Sequence, residues 1–453
     1  MTVLRDRIRE VTRSAVVRSA TGSLMVKVGA TGLGFLTTLT LARLLKAEGY
    51  GAYSYALAWV NLLVILGQCG FEKLLTREVA VYHSDQRWAL LNGLLRATNS
   101  ISLGISLAVA GVAVAMVWVL RERLDPSLVV PFLVSLSLIP VLSLTTLRRS
   151  AMAGLHRVAS GQVPEMLLRP VFLLAGLLTL HFVVNWRLDA TTAMVCNIGA
   201  AIAAFGVGML VLSRALPSEV RRSSPRYDLR PWLKSALPLA LLGGLQMLNY
   251  RIDSLMLGAI QGAGPVGVYN VVFQIVALIN FITLAADGAT APRFAGFVGK
   301  GDTSGMQRLF TLSTRTVFGL TLPSVILVIL MGEWILGIFG DEFRVGYSAL
   351  TILALGRLMP AAIGPVGVAL TMARLERLAV TSVVAALLLK LVLNLVLIPR
   401  MGVSGAALST ALVSACWFAV NGVVVYRKLG VVPTVAARAG SGRRDSSGPE
   451  DGR

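Results

Sequence analysis

Residues 383–398, VVAALLLKLVLNLVLI, are apolar at every position except Lys390 and Asn394. A helix on a soluble protein keeps a polar stripe, and a membrane β-strand alternates polar and apolar residues, so the run fits neither. It reads as a helix surrounded by lipid, the environment in which each backbone amide must bond within its own segment. The texture recurs along the chain: 55% of the 453 residues are hydrophobic and 14% charged. At roughly 20 residues per crossing, this content supplies about twelve spans. The sequence therefore predicts an all-α integral membrane protein of twelve transmembrane helices.

The first span has Lys27 near its start and runs to about residue 45; the next five lie near 53–70, 89–120, 126–147, 161–184 and 189–213. Six more lie near 232–259, 267–288, 309–331, 347–373, 378–398 and 402–426. Residues 1–19 set Arg5, Arg7, Arg9, Arg13 and Arg18 opposite Leu4, Ile8, Val11 and Ala15, the pattern of an amphipathic interfacial arm. A basic connector, 214–231, separates an N-terminal lobe, 20–213, from a C-terminal lobe, 232–427. The Gly-, Ser- and Arg-rich tail, 428–453, has too little apolar content to fold.

The two lobes read as a duplication. Gly51, Tyr53 and Arg77 recur 216 positions later as Gly267, Tyr269 and Arg293. AMAGLHRVA, 151–159, recurs as TMARLERLA, 371–379, at an offset of 220. Six spans per half, an even number, give both halves the same orientation and a two-fold axis along the membrane normal. Binding sites in such repeats lie where the repeats meet. The segments KAEGYG and GAIQGAGPVG read as tight connections requiring glycine backbone angles; neither follows a strand, so neither is a phosphate loop.

A net charge of +20 on a soluble protein would suggest nucleic acid, but the positions of the charges exclude that partner here. Of the 42 Lys and Arg residues, 28 fall on the side of the N-terminus, 7 on the opposite side and 7 within spans. Both termini are therefore expected in the cytoplasm. Cys69, Cys196 and Cys416, like His83, His156 and His181, are scattered without paired spacing, so neither a disulfide framework nor a metal site is expected.

Charges inside a bilayer are costly and mark functional sites. The basic ones are Lys27, Arg96, Arg169, Arg251, Arg315, Arg357 and Lys390; the acidic ones are Glu165, Asp253 and Asp287. Lys27, Arg96, Arg315 and Lys390 lie near span ends, where snorkelling to the interface is the competing role. Glu165 and Arg169, four apart, either neutralise each other or face a ligand. Arg251 and Asp253 point to nearly opposite sides of one helix, so each needs a partner elsewhere. Gln246, Asn249 and Asp253 form a polar stripe on one span, and Asn280, Thr283 and Asp287 on the next. These stripes either line a wet cavity or make interhelical hydrogen bonds. Arg357 is the deepest cation, beside Pro360, which frees a carbonyl. Seven bases against three acids favour an anionic ligand, with phosphate or diphosphate the natural choice for arginine.

The stretches ARLLKAEGYGAYSYALA, GFEKLLTREVA, IDSLMLGAIQGAGPVGVYNVV and APRFAGFVGKGD, with the AMAGLHRVA and TMARLERLA pair, resemble the polysaccharide-biosynthesis branch of the multidrug/oligosaccharidyl-lipid/polysaccharide (MOP) exporter superfamily, the Wzx-type flippases. The resemblance covers nearly the whole chain. It implies a MATE-like protein of two six-helix lobes in a bacterial inner membrane. Such a protein moves an undecaprenyl-diphosphate-linked oligosaccharide to the outer leaflet by alternating access, beside glycosyltransferases and a polymerase of the same pathway. No cofactor is expected beyond a coupling ion, H+ or Na+. The cavity positions expected to bind substrate are Lys27, Arg169, Gln246, Asn249, Arg251, Asp253, Asn280 and Arg357, with Asp253 and Glu165 as candidate coupling carboxylates. A cation-coupled multidrug antiporter is the alternative on the same fold. A membrane polymerase or ligase is the alternative of another class, disfavoured by short outer loops that carry only Asp341 and Glu342 as neighbouring carboxylates.

Overall fold

The computed structural model describes residues 2–122, 126–300, 302–373 and 375–437. The side chains of the amphipathic arm and the tail beyond residue 437 lie outside the described residues. Among the described residues every regular element is helical, and ten segments are long and apolar enough to cross a membrane. The chain forms two compact units, residues 1–270 and 271–453.

The first unit holds α1 (Thr2–Gln68), α2 (Phe71–Ser84), α3 (Trp88–Leu120), α4 (Pro126–Ser135), α5 (Leu138–Gly154), α6 (Val158–Val163), a π turn (Pro164–Leu168), α7 (Arg169–Phe182), α8 (Ala190–Ala215), α9 (Ser218–Arg222) and α10 (Leu229–Gln261). α11 (Ala263–Lys300) begins in it and carries the chain onward. α1 is two helices joined at Lys46, whose φ of 59° and ψ of −176° break the helical path. The corresponding break 216 positions on is Gly262, at φ 86° and ψ −169°, between α10 and α11. A second pair of left-handed residues, Asn185 and Gly402, is 217 apart. The duplication thus extends to the backbone angles of the connections. Within KAEGYG the residue at positive φ is Lys46 rather than a glycine, which corrects the expectation for that turn. Its Gly49 and Gly51 are helical.

Gly51 serves a close approach instead. A Cβ on Gly51 would lie 1.8 Å from the Ala263 carbonyl oxygen, and one on Gly267 would lie 2.2 Å from the Ala47 carbonyl oxygen. Ala47 and Ala263 are themselves 216 apart, so the crossing of α1 with α11 is reciprocal. Each strand of the crossing reads Ala-x-x-x-Gly, the small-residue spacing that lets helices touch in lipid.

α2 stands where the sequence suggested a basic loop. Its buried residues, Phe71, Leu74, Leu75, Val79 and Tyr82, follow helical spacing, while Glu72, Lys73 and Arg77 keep the other face too polar to span. The buried face joins Leu91 and Leu94 of α3, Leu147 and Met152 of α5, and Trp232 of α10 in one core. Trp232 Nε1 donates to Tyr82 Oη at 3.0 Å. Burial pushes the Tyr82 phenol up, while the bond donated by Trp232 pulls the other way.

The basic connector is strapped onto α3. Asn92 Nδ2 donates to the Ser223 carbonyl at 2.8 Å, and the Arg226 amide to the Ala89 carbonyl at 2.9 Å. A Cβ on Gly93 would come 1.9 Å from the Arg226 carbonyl oxygen. Gly93→Ala is therefore expected to lift the strap at a cost of about two ordinary hydrogen bonds, ~1 kcal/mol each. Trypsin should then cut at Arg222 or Arg226 at least about tenfold faster.

The second unit continues α11 and adds α12 (Thr303–Leu330), α13 (Gly332–Phe339), a 3-10 turn (Asp341–Gly346), α14 (Tyr347–Gly356), α15 (Leu358–Ile363), α16 (Val366–Met372), α17 (Glu376–Met401) and α18 (Val403–Leu429). Asp302 caps α12, accepting from the Gly305 amide at 2.8 Å and the Ser304 hydroxyl at 2.9 Å. The Gly305 bond, with that from Ser304, holds its carboxyl below the usual range. α18 packs on α14 and α17, and Phe294, Phe310, Val366, Val425 and Val431 form a core.

Residues 431–437, expected to be part of an unfolded tail, are packed. The Val432 amide donates to Gln307 Oε1 at 2.7 Å, the Val435 amide to the Ala362 carbonyl at 2.9 Å, and Arg315 to the carbonyls of Val435 and Ala437. Their backbone groups find partners on α12 and α15, which composition does not reveal. Arg315 thus anchors this segment.

Candidate functional site

Two prolines shape a charged recess of the first unit. Pro164 and Pro170 cannot donate backbone hydrogen bonds, and between them the ladder slips: the Arg169 amide reaches the Pro164 carbonyl, five residues back. The resulting π turn is a widened coil of a kind concentrated at functional sites. It separates the partners of the two charges it carries. Arg169 donates to Asn197 Oδ1 of α8, from Nε at 3.2 Å and Nη2 at 3.0 Å. Glu165 pairs instead with Arg149 of α5, at 3.3 Å. The mutual neutralisation considered for Glu165 and Arg169 does not occur.

Both residues line a cavity of about 490 Å³. One wall is α1, contributing Asn61, Val64, Ile65 and Gln68; another is the start of α2, with Glu72 and Lys73. α5 adds Thr146 and Arg149, and α10, the helix opening the second repeat, adds Gln246, Met247 and Tyr250. Arg149 also reaches Glu72, at 3.5 Å. Among the described residues neither Arg169 nor Lys73 has a carboxylate within ion-pair distance. Three cations against two carboxylates leave the recess net positive, and Asn61, Gln68 and Gln246 add neutral donors and acceptors. The arrangement suits an anionic group joined to a hydroxyl-rich one.

Of the residues expected in a cavity, Arg169, Glu165 and Gln246 meet here. Lys27 lies half-buried in the first arm of α1, outside this lining. Asp253 is buried and accepts from Tyr269 Oη at 2.9 Å, while Arg251 sits 5.1 Å from the Tyr250 ring centre; Asn249 lies half-buried on the same helix. Asn280, exposed on α11, and Arg357, at the break between α14 and α15, belong to the second unit. Sequence reasoning missed Lys73, Arg149, Glu72, Asn61, Gln68 and Tyr250. Lys73 and Arg149 each follow the end of an apolar segment, where a basic residue reads as a loop charge, and the signal for them is the amphipathic stripe of α2, whose polar side carries Glu72 and Lys73.

Residues 16–298 match the family described as polysaccharide biosynthesis protein, and residues 238–399 match the MatE family. The chain belongs to the polysaccharide biosynthesis protein family. It is 22% identical over 412 residues, 90% of its length and 82% of the relative's, to the probable low-salt glycan biosynthesis flippase Agl15 of Haloferax volcanii. A multidrug-resistance MATE family transporter of the MOP superfamily, inward-facing, superposes with a TM-score of 0.72 at 12% identity, covering 90% of this chain and 98% of that one. The lipid II flippase MurJ, inward closed, gives 0.71 at 11% identity, over 89% and 87%. The fold is that of MATE transporters and MurJ. This member of the family is a multi-pass membrane protein: ten of its described segments are apolar helices long enough to cross a bilayer.

Proposed function

We propose that the protein carries a polyprenyl-diphosphate-linked oligosaccharide from the cytoplasmic to the outer leaflet of a bacterial inner membrane by alternating access. The observation that carries this reading is Arg169, a cation inside a spanning bundle with a carboxamide beside it and, among the described residues, no carboxylate within ion-pair distance. Such a group is available to a phosphate oxygen, and the carboxamides across the recess are matched to sugar hydroxyls. The second arm of α1 supports an amphiphilic ligand. Its Asn61 and Gln68 face the polar recess, while Trp59, Leu63 and Leu66 line an apolar groove of about 480 Å³ with α3 and α4. A polyprenyl chain can remain on that side as the head group crosses.

Twelve spans follow if the 44-residue segment broken at Lys46 counts as two and the 33-residue α10 is added to the ten apolar segments. Both termini then face the cytoplasm, the side richer in Lys and Arg. Glycosyltransferases and a polymerase of the glycan pathway are the proposed partners, and H+ or Na+ the proposed coupling ion. Lys27, Asn249, Arg251, Asp253, Asn280 and Arg357 remain proposed cavity residues for other states of the cycle.

Deletion of the gene tests the reading: lipid-linked glycan should accumulate on the cytoplasmic leaflet, and an unchanged outer pool would refute it. The MatE match and the buried Asp253 favour one second reading, a cation-coupled multidrug antiporter. In that case Asp253→Asn abolishes drug resistance and leaves the glycan pool unaltered.

A further inference from the structure

The three cations of the recess are not equivalent. Arg169 is held by a neutral amide and Lys73 has no ion pair among the described residues, whereas Arg149 is engaged by two carboxylates. These come from different elements, Glu72 at 3.5 Å from α2 and Glu165 at 3.3 Å from the π turn, and each offers one oxygen. Strong guanidinium–carboxylate pairs are shorter, roughly 2.7–2.9 Å, and often bidentate. The side chains are also partly exposed: 26% for Arg149, 43% for Glu72 and 20% for Glu165. Long, single-oxygen, partly solvated pairs are weak and exchangeable.

We propose that Glu72 and Glu165 are built-in competitors for the anionic head group, occupying Arg149 in the empty recess and yielding it when a phosphate arrives. This rests on the reading that the recess accepts a diphosphate. A carboxylate is a weaker guanidinium ligand than a bidentate phosphate, so the exchange runs forward on loading. Once displaced, the two carboxylates stay in the same 490 Å³ space as the bound anion and repel it. Affinity is thereby held below what three cations alone would give. A carrier needs this, because a head group bound too tightly on one side is not released on the other.

The test is binding of geranyl diphosphate, a short soluble prenyl diphosphate, to the purified full-length protein by calorimetry. Glu165→Gln keeps an acceptor oxygen for Arg149 and removes only the charge. It is expected to bind about fivefold tighter than the unaltered protein, the size expected for one partly exposed charge, and Glu72→Gln somewhat less so. Pairing Glu165→Gln with Arg149→Gln should shrink the gain to the part owed to direct repulsion, because the competition itself acts through Arg149. The tighter variants should also flip lipid-linked glycan more slowly in proteoliposomes. Unchanged or weaker binding by both single variants, with the unaltered protein binding normally, overturns the proposal and leaves the functional reading intact. Failure of the unaltered protein to bind the diphosphate at all overturns both. Thermal melting of each variant separates these outcomes from misfolding.

Discussion

Gly51→Ala, and equally Gly267→Ala, is expected to destabilise the first unit by about 3 kcal/mol or more. The added methyl would sit 1.8 Å from the Ala263 carbonyl oxygen in one case and 2.2 Å from the Ala47 carbonyl oxygen in the other. These are backbone atoms in helices, so no rotamer change relieves the overlap. The helices must part, and Tyr50, Tyr53 and Tyr269, all buried around the crossing, lose their packing together. Overpacking of this kind typically costs about 1–3 kcal/mol, and rigid neighbours on both sides place this site at or above the upper end. Gly104 on α3 is the control, since a Cβ there meets nothing within 4 Å. Gly104→Ala should be neutral or stabilise by up to about 1 kcal/mol through better helix propensity. Melting in detergent, followed by size-exclusion of the heated sample, reads both. Equal melting of Gly51→Ala and Gly104→Ala would mean that the α1–α11 crossing is wrong.

Arg169→Gln should leave the protein folded and slow transport about 10- to 100-fold. The substitution keeps a hydrogen-bonding group near Asn197 and removes the one guanidinium of the recess without a carboxylate partner. A hydrogen bond to a charged group contributes about 1.5–3 kcal/mol, so the rate should fall about 10- to 100-fold. Arg169→Lys should recover only part of it, because an ammonium cannot hold Asn197 through two nitrogens and still meet a phosphate with a fork. Gln246→Ala, on the facing wall, should cost less, since it removes one neutral contact. The readout is the initial rate at which a fluorescent prenyl-diphosphate glycan becomes accessible outside proteoliposomes. Wild-type rates in Arg169→Gln would remove the main support for a phosphate-binding recess.

Much of this was legible before any coordinates. Apolar runs without a polar face demand lipid and helix, and the 216-residue offset announces two copies of one fold. The pairs Ala47 with Gly51 and Ala263 with Gly267 even carry the spacing of the helix crossing. Arg169, Glu165 and Gln246 stood out because polar groups in apolar spans are rare enough to be conspicuous. Lys73 and Arg149 did not, because both lie at the ends of apolar segments, where a tally of loop charges absorbs them. Nor did local spacing reveal that Glu165 would choose Arg149 over Arg169. That choice depends on a slipped hydrogen-bond ladder between two prolines and on α2 folding back over α5.

Sequence alone determined what depends on composition and period: the solvent, the helical class, the duplication, and which residues are costly to bury. Tertiary structure alone decided which charges share a space and which are already satisfied, as Asp253 is by Tyr269 and Arg149 by two carboxylates. The physical reason is range. Hydropathy and periodicity act within one helix, whereas an ion pair or a recess needs side chains from helices distant in the chain, brought within a few ångströms by packing.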